Sequence, residues 1–223
     1  MGRGTRRAAV AALGVIAMLA AAAGARGSDA APGARAADTS TTSRGADVAR
    51  AEEIVQGQCA VCHGPDGESS TPAFPRLAGQ NATYVARQLA AFKSGARRNS
   101  TMQPMVAELS EADFAALGAW YASRPTHVHP VEDPALAFAG RALWTGGNVT
   151  AGVPACVACH GADGHGGEAI PRLAGQHAMY VVRQLRQFGA REKTAENASM
   201  HLIASRLSEA EMRAVAAFVS GMK

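Results

Sequence analysis

Two stretches of sequence, CAVCHG at residues 59–64 and CVACHG at 156–161, decide the fold of this 223-residue chain. Three further segments recur in the same order after each of them: PRLAGQ (75–80 and 171–176), YVxRQL (84–89 and 180–185) and LSEA (109–112 and 207–210). The offset between matching segments stays between 96 and 98 residues. Because both order and spacing are kept, we interpret the chain as two copies of one domain.

The segment RPTHVHPVEDP at 124–134 separates the two copies. Its three prolines lack the amide donor that a helix needs and fix their own φ, so they prevent a continuous helix there. We therefore predict a first domain at 46–124, a linker at 125–132 and a second domain at 133–223.

The N-terminal residues have the pattern of a targeting segment. Three arginines precede an Ala-rich apolar run, and AGA at 23–25 is a suitable cleavage site. We predict that residues 1–25 are a signal peptide, with retention as a membrane anchor as the alternative. Residues 26–45 are rich in Ala, Gly, Ser and Thr without an apolar period, which predicts a flexible tail.

Cys-x-x-Cys-His is the attachment motif of c-type haem, and it occurs here twice. In this chemistry the two thiols bond to the porphyrin vinyl groups and the adjacent histidine ligates the iron. The candidate residues are Cys59, Cys62 and His63 in the first copy and Cys156, Cys159 and His160 in the second.

Three other uses of paired cysteines fit less well. A thioredoxin-like redox pair needs a βαβ context, and no segment here alternates like a strand. A Cys2His2 zinc site needs a second ligand pair at a regular distance. A disulfide framework would suit an exported protein, but all four cysteines lie in the two motifs and each pair precedes a histidine. We therefore predict two covalently bound haem c groups.

The iron then needs a sixth ligand, and methionine is the ligand that raises the reduction potential. Met102 and Met200 each lie eight residues before the serine of an LSEA segment, whereas Met105 aligns with the apolar Ile203. We therefore predict Met102 and Met200 as the sixth ligands. The alternative is that these methionines only fill the core.

Pro75 and Pro171 follow the two motif histidines by 12 and 11 residues. A backbone carbonyl at this position can accept the proton of the far ring nitrogen, which fixes the tautomer of the ligand and raises its basicity. Leu77 and Leu173, two residues further on, are expected to pack on the porphyrin face.

The apolar spacing predicts helices and no strands, which makes the fold class all-α, with each domain built around one haem. Helices are predicted over 46–57, after a cap at Asn81, from Ser110 onward and over about 133–144. Two pairs have the spacing of a capping box: Ser110 with Asp113, and Ser208 with Glu211.

Several other residues carry weaker expectations. His127 and His129, in the linker, are expected to lie in solvent, and no histidine outside the two motifs is assigned to iron. Four aromatic residues are interpreted as walls of the haem cavities: Tyr84, Trp120, Trp144 and Tyr180.

The charge of the chain gives no support for nucleic-acid binding. The formal charge of +4 falls to +1 without residues 1–25, and from Thr39 onward 17 basic residues face 16 acidic ones. Haem propionates would add negative charge, so the mature protein is expected to be neutral or acidic.

With these motifs in place, residues 46–223 resemble the cytochrome c4 family of diheme cytochromes. The runs CHGxDG, PRLAGQ and YVxRQL, and the methionine followed by LSE, carry the match. The resemblance implies two tandem class I cytochrome c domains related by a pseudo-twofold axis. It also implies a periplasmic carrier, often loosely attached to the membrane, that passes electrons towards a terminal oxidase. The chain departs from the family pattern before residue 46 and at 190–199.

Two classes of function remain open at this stage. The first is an electron carrier between redox partner proteins such as a quinol-oxidising complex, a dehydrogenase and a terminal oxidase. The second is the cytochrome subunit of an oxidoreductase complex such as a flavocytochrome sulfide dehydrogenase. A diheme peroxidase would require an open iron site, and two filled methionine positions argue against it.

Overall fold

The computed structural model describes residues 39–191 and 198–223, with side chains from residue 47 onward. The predicted signal peptide at 1–25, and residues 26–38 of the predicted tail, lie outside the described residues. Within the described part there is no strand, and the only β-type pairing is an isolated bridge between Asn148 and Val153. The all-α prediction is confirmed.

The helices follow the repeat. The first half contains α1 (Thr39–Ile54), a π-helical turn (Val55–Cys59), α2 (Ala60–His63), α3 (Ala82–Lys93), α4 (Met102–Val106) and α5 (Glu111–Ala122). The second half contains α6 (Pro134–Gly146), α7 (Val157–His160), α8 (Ala178–Gly189), α9 (Ala198–Ala204) and α10 (Glu209–Ser220). No helix lies between Ala122 and Pro134, where the linker was predicted.

The prediction of a flexible tail up to residue 45 was wrong for its last seven residues. The helix α1 begins at Thr39, and it continues through the π-helical turn into the first Cys-x-x-Cys-His motif. Ala51, Ile54 and Val55 anchor it in the first core, where they are nearly inaccessible to solvent. Once a helix is nucleated by such packing, each further residue is added at little cost, so even a Ser/Thr-rich segment can extend it.

Each half has its own apolar core, made mainly by three helices. The first core joins α1, α3 and α5, and the second joins α6, α8 and α10. Apolar residues at matching positions of the two copies are buried: Phe114, Leu117 and Tyr121 in α5, and Met212, Val215 and Val219 in α10. The interpretation of the chain as a repeat therefore holds at the level of packing.

Both predicted capping boxes are present. The Ser110 hydroxyl accepts a hydrogen bond from the Asp113 amide at 3.1 Å, and Asp113 Oδ2 accepts one from the Ser110 amide at 2.8 Å. The corresponding distances between Ser208 and Glu211 are 3.3 and 2.8 Å. These bonds satisfy amides at the first turns of α5 and α10, which the helices themselves leave unpaired.

Asn81 does not cap α3, contrary to the prediction. Its side-chain amide instead reaches the other half, where Nδ2 lies 2.7 Å from the carbonyls of Gly167 and Ile170 and 3.1 Å from that of His165. A short polar side chain at a helix start can bond either to the first amides of the helix or to more distant groups. The Asn81 side chain bonds to the distant carbonyls.

His129 is not solvent-exposed, which corrects a second prediction, whereas His127 is. The His129 Nε2 atom lies 3.2 Å from Glu68 Oε2, and 25% of the side chain is accessible. The linker contacts the first half, where Thr126 lies against Gly79. No helix in the described ranges is both long and apolar enough to cross a membrane.

Candidate haem sites

The helical turn α2 places His63 inside the first core. The ring is buried, and its Nδ1 atom lies 2.9 Å from the Pro75 carbonyl, as the spacing predicted. Because a carbonyl can only accept, Nδ1 carries the proton and Nε2 is left as the atom with a free lone pair. Burial lowers the pKa of His63, an effect that outweighs the bond to Pro75, so the ring is held neutral.

The second half repeats this geometry. The His160 ring is also buried, and Nδ1 lies 3.2 Å from the Pro171 carbonyl. Burial again lowers the pKa of this histidine. Two neutral imidazoles, each with one nitrogen fixed by a proline carbonyl and the other free, are suited to binding iron.

The four cysteines all lie in the described part of the chain, and none forms a disulfide. Burial raises the pKa of the Cys59 thiol and raises that of Cys156 to about 11. Redox-active and metal-binding cysteines need the opposite shift, because the thiolate is the reactive form. The shifts at Cys59 and Cys156 therefore do not favour the alternative of a redox pair.

One cavity of about 460 Å³ is lined by residues of both halves, with His63 and His160 both in its wall. The methionines Met102 and Met200 line the same cavity, together with Cys59. Its remaining wall combines apolar side chains with arginines, among them Leu77, Leu173, Phe92, Arg97 and Arg183. Apolar walls with cations suit a porphyrin that carries propionates, so the residues fit haem.

The choice between Met102 and Met105 is not made by the cavity, because both side chains line it and both are half-buried. Met102 is the first residue of α4, and its amide donates a 2.8 Å hydrogen bond to Asn99 Oδ1. Ile203, which aligns with Met105, packs against the second core. The assignment of Met102 stays a prediction that rests on the alignment of the two copies.

The aromatic predictions were half right. Tyr84 and Tyr180 line the cavity, and burial raises the pKa of Tyr84 to about 12. The two tryptophans are buried in the cores and are not part of this wall. Trp120 packs edge-on against Tyr121, whereas the Trp144 ring lies 6.1 Å from that of His160.

Arg97 is a cavity residue that sequence reasoning missed. Its guanidinium donates to Gln88 of its own half at 2.6 Å and to Gln184 of the other half at 3.0 Å. It also lies 4.4 Å from the centroid of the Phe92 ring. The stretch GAR recurs at 95–97 and 189–191, where the copies begin to diverge, so this recurrence was the available signal for Arg97.

The chain is similar in sequence to known proteins. Residues 46–120 match the family described as cytochrome c oxidase, cbb3-type, subunit III, and residues 139–223 match the family described as cytochrome c. Cytochrome c4 of Azotobacter vinelandii is 39% identical over 177 residues, which cover 74% of this chain and 84% of the relative. The thiosulfate dehydrogenase electron acceptor of Thiomonas intermedia (strain K12) is 36% identical over 167 residues, covering 73% and 77%.

The fold is also found in a solved structure. Reduced recombinant cytochrome c4 from Pseudomonas stutzeri superimposes with a TM-score of 0.74 at 33% sequence identity, covering 79% of this chain and 98% of that chain. Two helical cytochrome c domains in tandem define a diheme c-type cytochrome that carries electrons. At this level of identity and coverage, the chain belongs to the cytochrome c4 family and holds two covalently bound haem c groups.

Proposed function

We propose that this chain is a periplasmic electron carrier that takes electrons from a membrane or periplasmic donor and passes them towards a terminal oxidase. In this proposal Cys59, Cys62, Cys156 and Cys159 attach the two haems. The axial ligands are His63 with Met102 in the first domain and His160 with Met200 in the second. Loose membrane association and an N-terminal signal peptide belong to the same proposal.

The observation that carries it is the state of the two motif histidines. His63 and His160 are buried, neutral and fixed through Nδ1 to a proline carbonyl, so each presents Nε2 in one defined direction. A methionine from the same half lines the same cavity in each case. Two protein ligands per iron leave no open position for a substrate, which suits a carrier rather than an enzyme.

The bound haem supplies a one-electron change of its iron, and the protein residues keep that change reversible. The proline carbonyls hold the proton at Nδ1, so the ligands do not rotate or change tautomer between redox states. The apolar wall, which includes Leu77 and Leu173, excludes water and disfavours net positive charge at the ferric site. Both effects set the potential without a change in fold.

A second candidate is the electron-accepting partner of a dehydrogenase. It is favoured by the similarity to the thiosulfate dehydrogenase electron acceptor of Thiomonas intermedia. In that case the donor is a thiosulfate dehydrogenase, whereas the haem chemistry of this chain stays the same. The two candidates therefore differ in the electron donor and not in the site.

The test uses the holoprotein purified from periplasm. Ferric protein is mixed with a thiosulfate dehydrogenase and thiosulfate, or with a quinol-oxidising membrane fraction, and haem reduction is followed by absorbance. Ferrous protein is then mixed with membranes that contain a terminal oxidase. Rapid oxidation by the membranes with reduction by the quinol-oxidising fraction supports the carrier. Reduction only through the dehydrogenase supports the second candidate, and slow exchange with every partner contradicts both.

A further inference from the structure

Each half of the molecule binds the backbone of the other through a buried glutamine. Gln176 Oε1 accepts a hydrogen bond from the Arg76 amide at 2.9 Å, and Gln176 Nε2 donates one to the Arg76 carbonyl at 2.9 Å. The Gln176 side chain is almost fully buried, with 4% of its surface accessible. One carboxamide therefore satisfies both backbone groups of a residue that lies 100 positions away.

The same arrangement exists with the halves exchanged. Gln80 Oε1 accepts from the Arg172 amide at 2.7 Å, and Gln80 Nε2 donates to the Arg172 carbonyl at 2.9 Å. Gln80 is equally buried. The two contacts are thus reciprocal, as expected when two copies of one domain pack about a pseudo-twofold axis.

The peptide units held in this way are the ones that orient the motif histidines. The Arg76 amide belongs to the same peptide unit as the Pro75 carbonyl, which accepts from His63 Nδ1 at 2.9 Å. The Arg172 amide likewise shares a peptide unit with the Pro171 carbonyl, which accepts from His160 Nδ1 at 3.2 Å. A continuous hydrogen-bonded chain therefore runs from each histidine, through one peptide unit, to the glutamine of the opposite half.

We propose that Gln176 and Gln80 are positioning residues that set the reduction potential of the haem in the opposite domain. This inference rests on the proposed ligands His63 and His160. Gln176 acts on the first haem through the Pro75–Arg76 peptide unit, and Gln80 acts on the second through the Pro171–Arg172 peptide unit. Separation of the domains would therefore change both potentials even with both haem pockets intact.

The sign follows from the polarisation of an amide. An acceptor on the N–H of a peptide unit makes its carbonyl oxygen a better acceptor, because bonds in a chain strengthen one another. A stronger bond to Nδ1–H gives the histidine more imidazolate character and makes it a more basic ligand, which stabilises the ferric state. Each glutamine therefore lowers the potential of the haem in the opposite domain.

The test exchanges one glutamine at a time in the holoprotein. Gln176→Leu removes the acceptor from the Arg76 amide and is expected to raise the potential of the first haem only; Gln80→Leu is expected to raise the second only. Because cooperative strengthening within such a chain is modest, about 10–30% per bond, we expect the equilibrium between ferric and ferrous haem to change by about two- to fourfold. At 59 mV per tenfold for one electron, this is a shift of about 20–35 mV.

A second pair of variants covers the case in which leucine prevents folding. Gln176→Glu and Gln80→Glu keep a side-chain oxygen as the acceptor of the opposite amide. In each of them the potential of the opposite haem is expected to stay at the wild-type value or to fall, and a rise in either would overturn the proposal. Asn81→Ala is the matched control, because it removes an uncharged contact between the halves without touching either proline–arginine peptide unit.

Potentials are measured by spectroelectrochemical titration and assigned to the haems with Met102→Ala, which displaces the first potential. Three outcomes overturn the proposal: no shift in either leucine variant, a shift of the haem in the same domain as the substituted glutamine, or equal shifts of both haems. A shift of either potential in Asn81→Ala also overturns it, since loosened packing would then suffice. If the variants keep two low-spin haems and unchanged potentials, this inference fails while the carrier function stands.

Discussion

Gly140 in α6 and the Ala214 carbonyl in α10 touch so closely that a side chain on Gly140 would overlap the Ala214 oxygen. The crossing of these two helices builds the second core. A glycine in mid-helix normally costs stability, so its presence here is explained by the close approach of the two backbones.

We expect Gly140→Ala to destabilise the second domain by about 1–3 kcal/mol, as overpacking does, although alanine is the better helix former. Gly146→Ala is the matched control in the same helix, because no atom lies within 4 Å of the added methyl group. The free energy of unfolding is obtained from urea titration of the holoprotein. Equal stability in the two variants would contradict the close contact.

We expect Met102→Ala to lose half of the weak near-infrared band of the sulfur–iron bond and to lower one of the two potentials. The variant should also bind carbon monoxide at one haem, whereas the reduced native protein should resist it. Met105→Leu is the control, since a volume-conserving exchange costs below ~1.5 kcal/mol and should leave the band unchanged. Loss of the band in Met105→Leu, with the band retained in Met102→Ala, would reverse the assignment.

We expect Ser208→Ala to cost about 0.5–2 kcal/mol, because the Glu211 amide at the start of α10 loses its hydroxyl acceptor. Ser110→Ala should have the same effect on α5. Both are measured as a lower thermal midpoint. The control is Ser70→Ala, at an exposed serine outside the helices; a midpoint as low as that of Ser208→Ala would show that the capping box is unimportant.

We expect the free energy of unfolding to decrease as the pH falls below about 6.5, the ordinary pKa of histidine. Burial, with Arg76 nearby, lowers the pKa of both His129 and His177. The unfolded chain then binds more protons than the folded one, so stability is fully present above that pH and is lost towards the folded pKa values. The Glu68 carboxylate opposes the shift in both cases without cancelling it.

The measurement compares urea midpoints at pH 7.5 and 5.5. The variants His129→Gln and His177→Gln should each reduce the loss of stability between these two conditions. His165→Gln is the control, because this side chain is exposed and its ionic partner is Asp163 rather than Glu68. A pH dependence that is unchanged in both His129→Gln and His177→Gln would mean that other groups cause it.

Much of the haem chemistry could be predicted because its signals are local. The motif Cys-x-x-Cys-His, the distance from His63 to Pro75 and the capping-box spacing each involve residues at most 12 positions apart, where local chain geometry limits which groups can meet. Because the chain contains two copies of one domain, each of these signals occurs twice. This repetition supports the preference for Met102 over Met105, which the cavity itself leaves open.

The contacts that join the halves had no such signal. Asn81 is of a residue type that often caps helices, yet its side chain binds carbonyls 84 to 89 positions away. His129 is partly buried and contacts Glu68 instead of lying in solvent. Gln80 and Gln176 belong to the repeated hexapeptide, but the sequence does not say that each binds the other copy. Such contacts depend on how the two folded domains pack against each other.

The sequence by itself determined the two haem motifs, the helical halves and their order, because covalent attachment and helix formation depend on near neighbours. Only the tertiary structure decided that one cavity receives residues from both halves, and that each proline–arginine peptide unit is held from the opposite side. The physical reason is that a buried amide must find a partner somewhere. When no local partner is available, the packing of the whole fold selects it.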